Sequence, residues 1–247
     1  VVTGDYGDNY FADEFTWAAA ELYITTRNDD YLKHIPLANI KLTLPTWSNV
    51  NALGHYSLAR NSNKLTPAAA KFIPEVNRAI IDFADGLLNN LKLSAYQTVM
   101  GTSAQDFSWG SNAVAANQGI ALIQAYLLTR QVKYADAALG NLDYLLGRNG
   151  TGYCFITGFG SKSIMHPHHR PSIADGITDP VPGLLSGGPN PGRQDSIAVP
   201  SSLPNLAFVD DERAYAVNEI AINWNAPLAY LANAIEALQY DCGYIKK

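Results

Sequence analysis

Cysteine is scarce: Cys154 and Cys242 are the only two in 247 residues. Two thiols exclude a disulfide framework and a cysteine-rich metal cluster, and leave either one bridge or two free thiols. Long apolar runs are missing as well. No stretch reaches the roughly 18 uninterrupted apolar residues that a membrane-spanning helix needs. Charge is low at 16%, and 22 Asp and Glu outnumber 17 Lys and Arg, for a net charge of −5. That balance lacks the dense basic face that duplex nucleic acid requires, so no nucleic-acid partner is expected. Val1-Val2-Thr3-Gly4-Asp5 has no initiator Met, no basic n-region and no apolar h-region, so it is not a signal peptide. A chain that opens this way reads as processed or cut from a longer one.

What is present describes a folded protein. At 47% hydrophobic residues, a sizeable core is available and disorder is excluded. The length is compatible with one or two domains. Aromatics make up 11%, with 14 Tyr and 4 Trp, a supply that suits stacking on sugar rings among other uses.

The spacing of apolar residues predicts helices over most of the chain. The first runs over 13–26, with Phe15, Ala18, Ala19, Leu22 and Tyr23 on one stripe and Asp13 and Glu14 favourably placed in the first turn. Others are expected over 31–42 and 47–61. A fourth runs from Thr66-Pro67 towards Leu91, with Thr66 as N-cap and a kink or break at Pro74. A fifth follows Gly110-Ser111-Asn112 and ends near Thr129, and a sixth spans 132–146, stopped by Gly147. A last helix is expected from Asp211 to about Tyr240, bent at Pro227. Residues 147–209 hold most of the prolines, and 180–192 reads as a long loop or lid. The strand signal is confined to 153–157. Short connections predict antiparallel helical neighbours, hence an all-α array of hairpins with an elaborate loop face.

Two constellations carry chemistry. His166, His168, His169 and Arg170 lie on a segment broken by Pro167. The spacing is poor for zinc, whose sites use helical i, i+4 pairs or Cys partners. A solvated loop is the plain alternative; recognition of sugar hydroxyls by Arg and His donors is the richer one. The second constellation gathers Asp210, Asp211, Glu212 and Glu219. Helix capping accounts for the first three. Glu219, expected two turns into an apolar helix beside Ile220, Ala221 and Ile222, suits a carboxyl with a raised pKa acting as general acid.

Phe208, Asp210, Tyr215, Glu219, Ala221, Asn225 and Ala226 stand in the spacing of a signature of glycoside hydrolase family 9, formerly cellulase family E. The chain resembles that family elsewhere in the same order. The matching segments are Asp13-Glu14-Phe15 with Trp17 to Tyr23, then Trp47, Trp109-Gly110-Ser111-Asn112, 146–160, and Pro167-His168-His169-Arg170. Cys154 departs from the usual Ser, Thr or Val.

The resemblance implies an (α/α)6 toroid and inverting endo-hydrolysis of β-1,4-glucans by a secreted, extracellular enzyme. Glu219 corresponds to the general acid, and His168 and Arg170 to residues that hold the sugar. Tyr215 and Trp224 line the same region, Asp210 is a signature acid in a supporting role, and Trp47 and Trp109 are sugar platforms. No cofactor is required for the chemistry. Family members often hold Ca2+ near a helix start that corresponds to Asp13 and Glu14. The further acid expected after Trp47 is absent: Ser48-Asn49-Val50-Asn51 stand there, and an Asn oxygen could substitute. The family's base lies in an Asp-x-Gly-Asp motif. Asp5-Tyr6-Gly7-Asp8 imitates it, but a Tyr-Gly-Asp stretch just before this helix is itself a family feature. The resemblance therefore places the chain as the C-terminal half of the domain, with the acid and without the base, and with the N-terminal half as a partner. A noncatalytic carbohydrate-binding fragment and an exo-acting glucosaminidase are the alternatives.

Overall fold

The computed structural model describes residues 7–89, 91–101 and 104–246. They are helical, with isolated bridges and no named strand among them. Two compact units share the chain: Val1–Gly86 with Leu127–Arg130, and Leu87–Tyr126 with Gln131–Lys247. No helix of the described residues is long and apolar enough to cross a membrane. Both cysteines are free thiols, Cys154 buried and Cys242 partly exposed.

The first unit is built on α1 (Ala12–Thr26) and α2 (Asn51–Arg60). The buried face of α1 is Asp13, Thr16, Ala19, Ala20 and Tyr23, while Phe15 and Leu22 of the expected stripe are 71% and 45% exposed. Small residues explain this choice. A Cβ added at Gly54 of α2 would lie 3.2 Å from both Ala20 Cβ and Trp17 Cα, so the two backbones meet on their narrow faces. The helix expected over 31–42 reduces to a 3-10 turn, Asp29–His34. Ile35 is extended (φ −113, ψ 118), as the steric bulk of the following Pro36 requires. Thr66 does not cap with its side chain; its hydroxyl donates to Asp29 Oδ1 at 2.6 Å. The fourth predicted helix is two: α3 (Pro67–Ala70) and α4 (Ile73–Leu88). Pro74 sits in the first turn of α4, where a missing N–H costs nothing.

α5 (Ser111–Thr129), which belongs to the second unit as far as Tyr126, is buried almost all round, and α6 (Val132–Leu145) follows it in that unit. Asn141 of α6 is fully buried and joins them: its Nδ2 donates to Ala115 O at 2.8 Å and to Gln118 Oε1 at 3.1 Å. Gly119 lets Leu231 of α9 (Ile222–Leu238) approach so closely that a Cβ there would be 2.6 Å from a Leu231 methyl. Between α6 and α9 stand α7 (Arg170–Ala174), α8 (Tyr215–Asn218) and long loops. The strand signal at 153–157 survives only as the bridges Cys154↔Ser163 and Ile156↔Leu185.

The helix expected from Asp211 to Tyr240 is the main correction. Residues 211–214 are not α-helical, α8 is a single turn, and Glu219 to Ala221 leave the helix before α9 begins.

Candidate active site

Glu219 is the C-cap of α8, with φ −67 and ψ 151, so it lies in extended backbone and not two turns inside a helix. Loop N–H groups hold it there by taking carbonyls that a helix end leaves without partners. His168 N donates to Asn218 O at 2.8 Å, and Gly188 N donates to Val217 O at 2.7 Å. Bridges His168↔Glu219 and Ser186↔Ile220 follow. The expected apolar flank is also corrected: Ile222 is 89% exposed. Burial nevertheless raises the Glu219 pKa, while a hydrogen bond from Trp109 and the charge of His168 pull it partly back.

Trp109, 41% exposed, donates its indole N–H to Glu219 Oε2 at 3.0 Å. Its ring lies 5.3 Å from that of Tyr215, and Tyr215 lies 5.9 Å from the His168 ring. Tyr215 is steadied by donating its hydroxyl to Gln194 O at 3.1 Å. His168 Nδ1 sits 2.6 Å from Glu212 O. A carbonyl only accepts, so Nδ1 carries a proton and Nε2 is left for other contacts. Arg170 opens α7 and is exposed.

Asp210 is not a helix cap. Its Oδ2 accepts from Met165 N at 2.8 Å, and its Oδ1 from His166 N at 2.9 Å and Asn218 Nδ2 at 3.0 Å. That arrangement supports the loop carrying His168 and leaves no oxygen lacking a donor. Asp211 instead pairs with Arg213 at 2.6 Å, and hydrogen bonds from that residue hold its carboxyl at about 2. Trp224 is 7% exposed and packs beneath Gly110 and Gly187, where a Cβ at Gly110 would be 2.7 Å from its Nε1. It underlies the site and offers no open face to a sugar. Gly110 has φ +86, so its place needs glycine twice over.

Trp47, Asp13 and Glu14 belong to the first unit. Trp47 is 47% exposed, in the turn closed by the Thr46↔Asn49 bridge. Asp13 is 3% exposed and its Oδ2 accepts from Val50 N at 2.6 Å. Three carboxylate oxygens here, Asp8 Oδ2, Asp13 Oδ1 and Glu14 Oε2, are buried with no hydrogen-bond partner. A backbone hydrogen bond lowers the Glu14 pKa, but burial, the close approach of the Asp13 carboxyl and the charges of Asp13 and Asp8 outweigh it, and the net shift is upward. Crowded oxygens without donors are what a hard cation accepts. No group of three or more His, Cys, Asp or Glu among the described residues converges as a metal site. A cation at Asp13 and Glu14 would therefore lean on backbone or amide oxygens as well. Asn49 Oδ1 already accepts from Thr43 at 2.8 Å. Asp5 and Tyr6 lie outside the described residues, and Asp8 precedes α1, its Oδ1 accepting from Tyr10 N at 3.0 Å.

Sequence reasoning missed three parts of the site: Asn218, the loop at Gln194 and Asp195, and the Trp109–Glu219 bond. Asp195 Oδ2 accepts from Ala216 N at 2.8 Å and pins the start of α8. No spacing rule announces contacts between residues 21 or 110 positions apart.

The family model for glycosyl hydrolase family 9 matches residues 1–232. The xyloglucan-specific endo-beta-1,4-glucanase BoGH9A of Bacteroides ovatus is 43% identical over 240 residues, which are 96% of this chain and 41% of that protein. A cellulose 1,4-beta-cellobiosidase of Acetivibrio thermocellus is 31% identical, over 95% of this chain and 29% of its own length. Among solved structures, a Bacteroides ovatus family 9 protein superposes with a TM-score of 0.87 at 40% identity, covering 96% of this chain and 42% of its own. A thermostable endoglucanase from Alicyclobacillus acidocaldarius does so with a TM-score of 0.84 at 31% identity, over 96% and 45%. These neighbours are (α/α)6 barrels. The chain thus spans less than half the length of each of these relatives. With the model matched over nearly its whole length, the chain belongs to glycosyl hydrolase family 9.

Proposed function

We propose that the protein hydrolyses β-1,4-glucosidic bonds of cellulose or related β-glucans with inversion, and that Glu219 is the general acid. The observation that carries this reading is the state of Glu219. Its carboxyl is partly buried with a raised pKa, one oxygen is fixed by Trp109, and the other is left for a proton. A protonated Glu219 would give that proton to the leaving glycosidic oxygen as its bond to C1 breaks, while water attacks C1 from the opposite face.

The surroundings suit a sugar. Trp109 and Tyr215 offer ring faces to the apolar side of a pyranose, and His168 and Arg170 offer donors to its hydroxyl rim. Trp47 is assigned as a further platform. Both similar enzymes act, by their names, on β-1,4-linked glucans, one of them on xyloglucan. We assign the enzyme to the outside of the cell, where polymeric substrates of this kind would be met.

Inversion needs a second carboxylate roughly 6.5–9.5 Å from the acid to activate water. Asp210 and Asp195 have both oxygens taken by N–H donors. The family resemblance puts the base in an Asp-x-Gly-Asp motif, and we assign it to the portion of the family domain that this chain does not span, which would be its partner in catalysis. Asp13 and Glu14 are assigned to a structural Ca2+, which would neutralise their crowded charge and take no part in bond cleavage.

The test is Glu219→Gln in the whole enzyme. Turnover of β-glucan should collapse while cello-oligosaccharide binding persists, and product from the unaltered enzyme should appear first as the α-anomer by NMR. Near-normal turnover of the variant, or an initial β-anomer, would overturn the reading.

A further inference from the structure

Asn218 immediately precedes Glu219, and its side chain is fully buried. Both protons of its amide are spent: Nδ2 donates to His166 O at 2.7 Å and to Asp210 Oδ1 at 3.0 Å. Its backbone carbonyl accepts from His168 N at 2.8 Å. One residue therefore grips the His166–His168 segment at two points and Asp210 at a third. Its Oδ1, in contrast, is buried with no partner. A residue kept only to fill space would not carry a buried acceptor that nothing satisfies, because that group loses its hydration on folding. The amide is held at this position for its donors.

We propose that Asn218 is a positioning residue for catalysis, fixing the Glu219 carboxyl and the His168 imidazole relative to each other. It acts through Asp210 and the 165–168 loop and touches no substrate. The proposal rests on Glu219 being the general acid.

The side-chain chemistry at this position is narrow. Aspartate has the same shape but no N–H donor, and it would set a second carboxylate against Asp210. Glutamine needs an extra methylene where no space is exposed. Serine supplies one donor where two are used. Alanine would leave the His166 carbonyl and an Asp210 oxygen without this partner. The 165–168 loop would then lose one of its holds and keep Asp210 and the His168–Asn218 backbone bond. His168 also keeps Nδ1 on Glu212 O, and the groups that face Glu219 are the His168 ring and the Trp109 indole. Of these two, His168 is the one that depends on the Asn218 clamp.

This dependence gives a readout that mere loss of folded protein cannot imitate. His168 and Trp109 both lower the Glu219 pKa against the burial that raises it. If the clamp fails and His168 drifts away, Glu219 stays protonated to higher pH. The alkaline limb of the kcat profile then moves up in pH while kcat itself falls.

The experiment uses the whole enzyme on a soluble β-glucan, with Asn218→Ala, Asn218→Ser, Asp210→Asn and the double variant Asp210→Asn with Asn218→Ala. The expected result for Asn218→Ala is a kcat loss on the order of 10- to 100-fold, the scale of a misplaced catalytic group. KM should stay within about threefold and the alkaline limb should shift upward. Asn218→Ser should lose less, and serves if the alanine variant does not fold. The double variant should be little worse than the worse single one, since both act through one contact. A kcat that falls only with the folded fraction, with the alkaline limb unmoved, overturns the proposal. So does full additivity of the two substitutions. Glu219→Gln runs beside them: if that variant keeps its activity, the acid assignment fails; if it is inactive while Asn218→Ala is normal, only the positioning role fails.

Discussion

In the second unit, Asp210 spends both oxygens on three N–H donors, whereas in the first unit Asp8, Asp13 and Glu14 each keep a buried oxygen that nothing satisfies. The two clusters look alike as sequence, each a run of acids near a helix start. Their solutions differ. Asp210 is neutralised by dipoles that the fold supplies, so it is part of a rigid frame. The charges of Asp13 and Asp8 help to push the Glu14 pKa up, and the fold supplies no cation side chain to these acids in any ion pair described. Donors on every oxygen make a scaffold of Asp210; the oxygens left over on Asp8, Asp13 and Glu14 are the ground for proposing a cation there.

Deleting the Asp210 carboxylate should break the first half of this comparison most severely. Asp210→Ala removes charge-assisted hydrogen bonds from two backbone N–H groups and from Asn218, each on the order of 1.5–3 kcal/mol before compensation by water. We expect a net loss of about 3 kcal/mol, read by denaturant unfolding. A change below about 0.5 kcal/mol would show that water replaces the carboxylate at little cost.

The second half is tested by calcium. At a hundredfold excess over Kd, Ca2+ should stabilise the protein by about 2.7 kcal/mol, visible as a raised Tm that a chelator reverses. Asp13→Asn with Glu14→Gln should abolish the rise, whereas Asp210→Asn should leave it. No response in the unaltered protein removes the cation from the account.

A smaller effect sharpens the electrostatics of Glu219. Its folded pKa lies above its unfolded value of about 4.3. The neutral form is the favoured one in the fold, so its contribution is fully present below the unfolded pKa and is lost as pH rises through the folded pKa. Trp109→Phe removes an N–H donor that lowers the folded pKa. It should extend that window upward, cost about 1 kcal/mol near neutral pH and leave stability at pH 4 nearly unchanged. Glu219→Gln should flatten the same dependence. A Trp109→Phe profile parallel to that of the unaltered protein contradicts the bond as drawn.

Much of the helical frame was legible in the sequence. The bounds of α1, α5 and α6 follow from apolar spacing and from Gly147 to within a residue or so. The buried face of α1 was not, because Gly54 and Ala20 let small faces pack while Phe15 stays outside, and side-chain size alone points the other way. The candidate site was legible as a set of residues and illegible as geometry. Glu219, His168, Tyr215 and Trp109 do gather in one place. The turn that gathers them breaks a stretch of good helix formers, and it is driven by bonds to His168 and Gly188 that lie some 30 to 50 positions earlier in the chain. Local propensity carries no record of such partners. Trp224 shows the converse: its motif position marks it as near the site, and only packing shows it to lie beneath Gly110.

The central claim is that Glu219 delivers a proton to the leaving oxygen, and dependence on the leaving group tests it most directly. In the whole enzyme, Glu219→Gln is measured on a β-glucan, whose leaving sugar alcohol needs protonation, and on an aryl β-cellobioside bearing a nitrated phenol, which hardly needs it. The account predicts a loss on the order of 10²- to 10⁴-fold on the glucan and a far smaller loss on the aryl substrate. Equal losses on both substrates would contradict it, and would leave Glu219 as a residue that holds the sugar without protonating its bond.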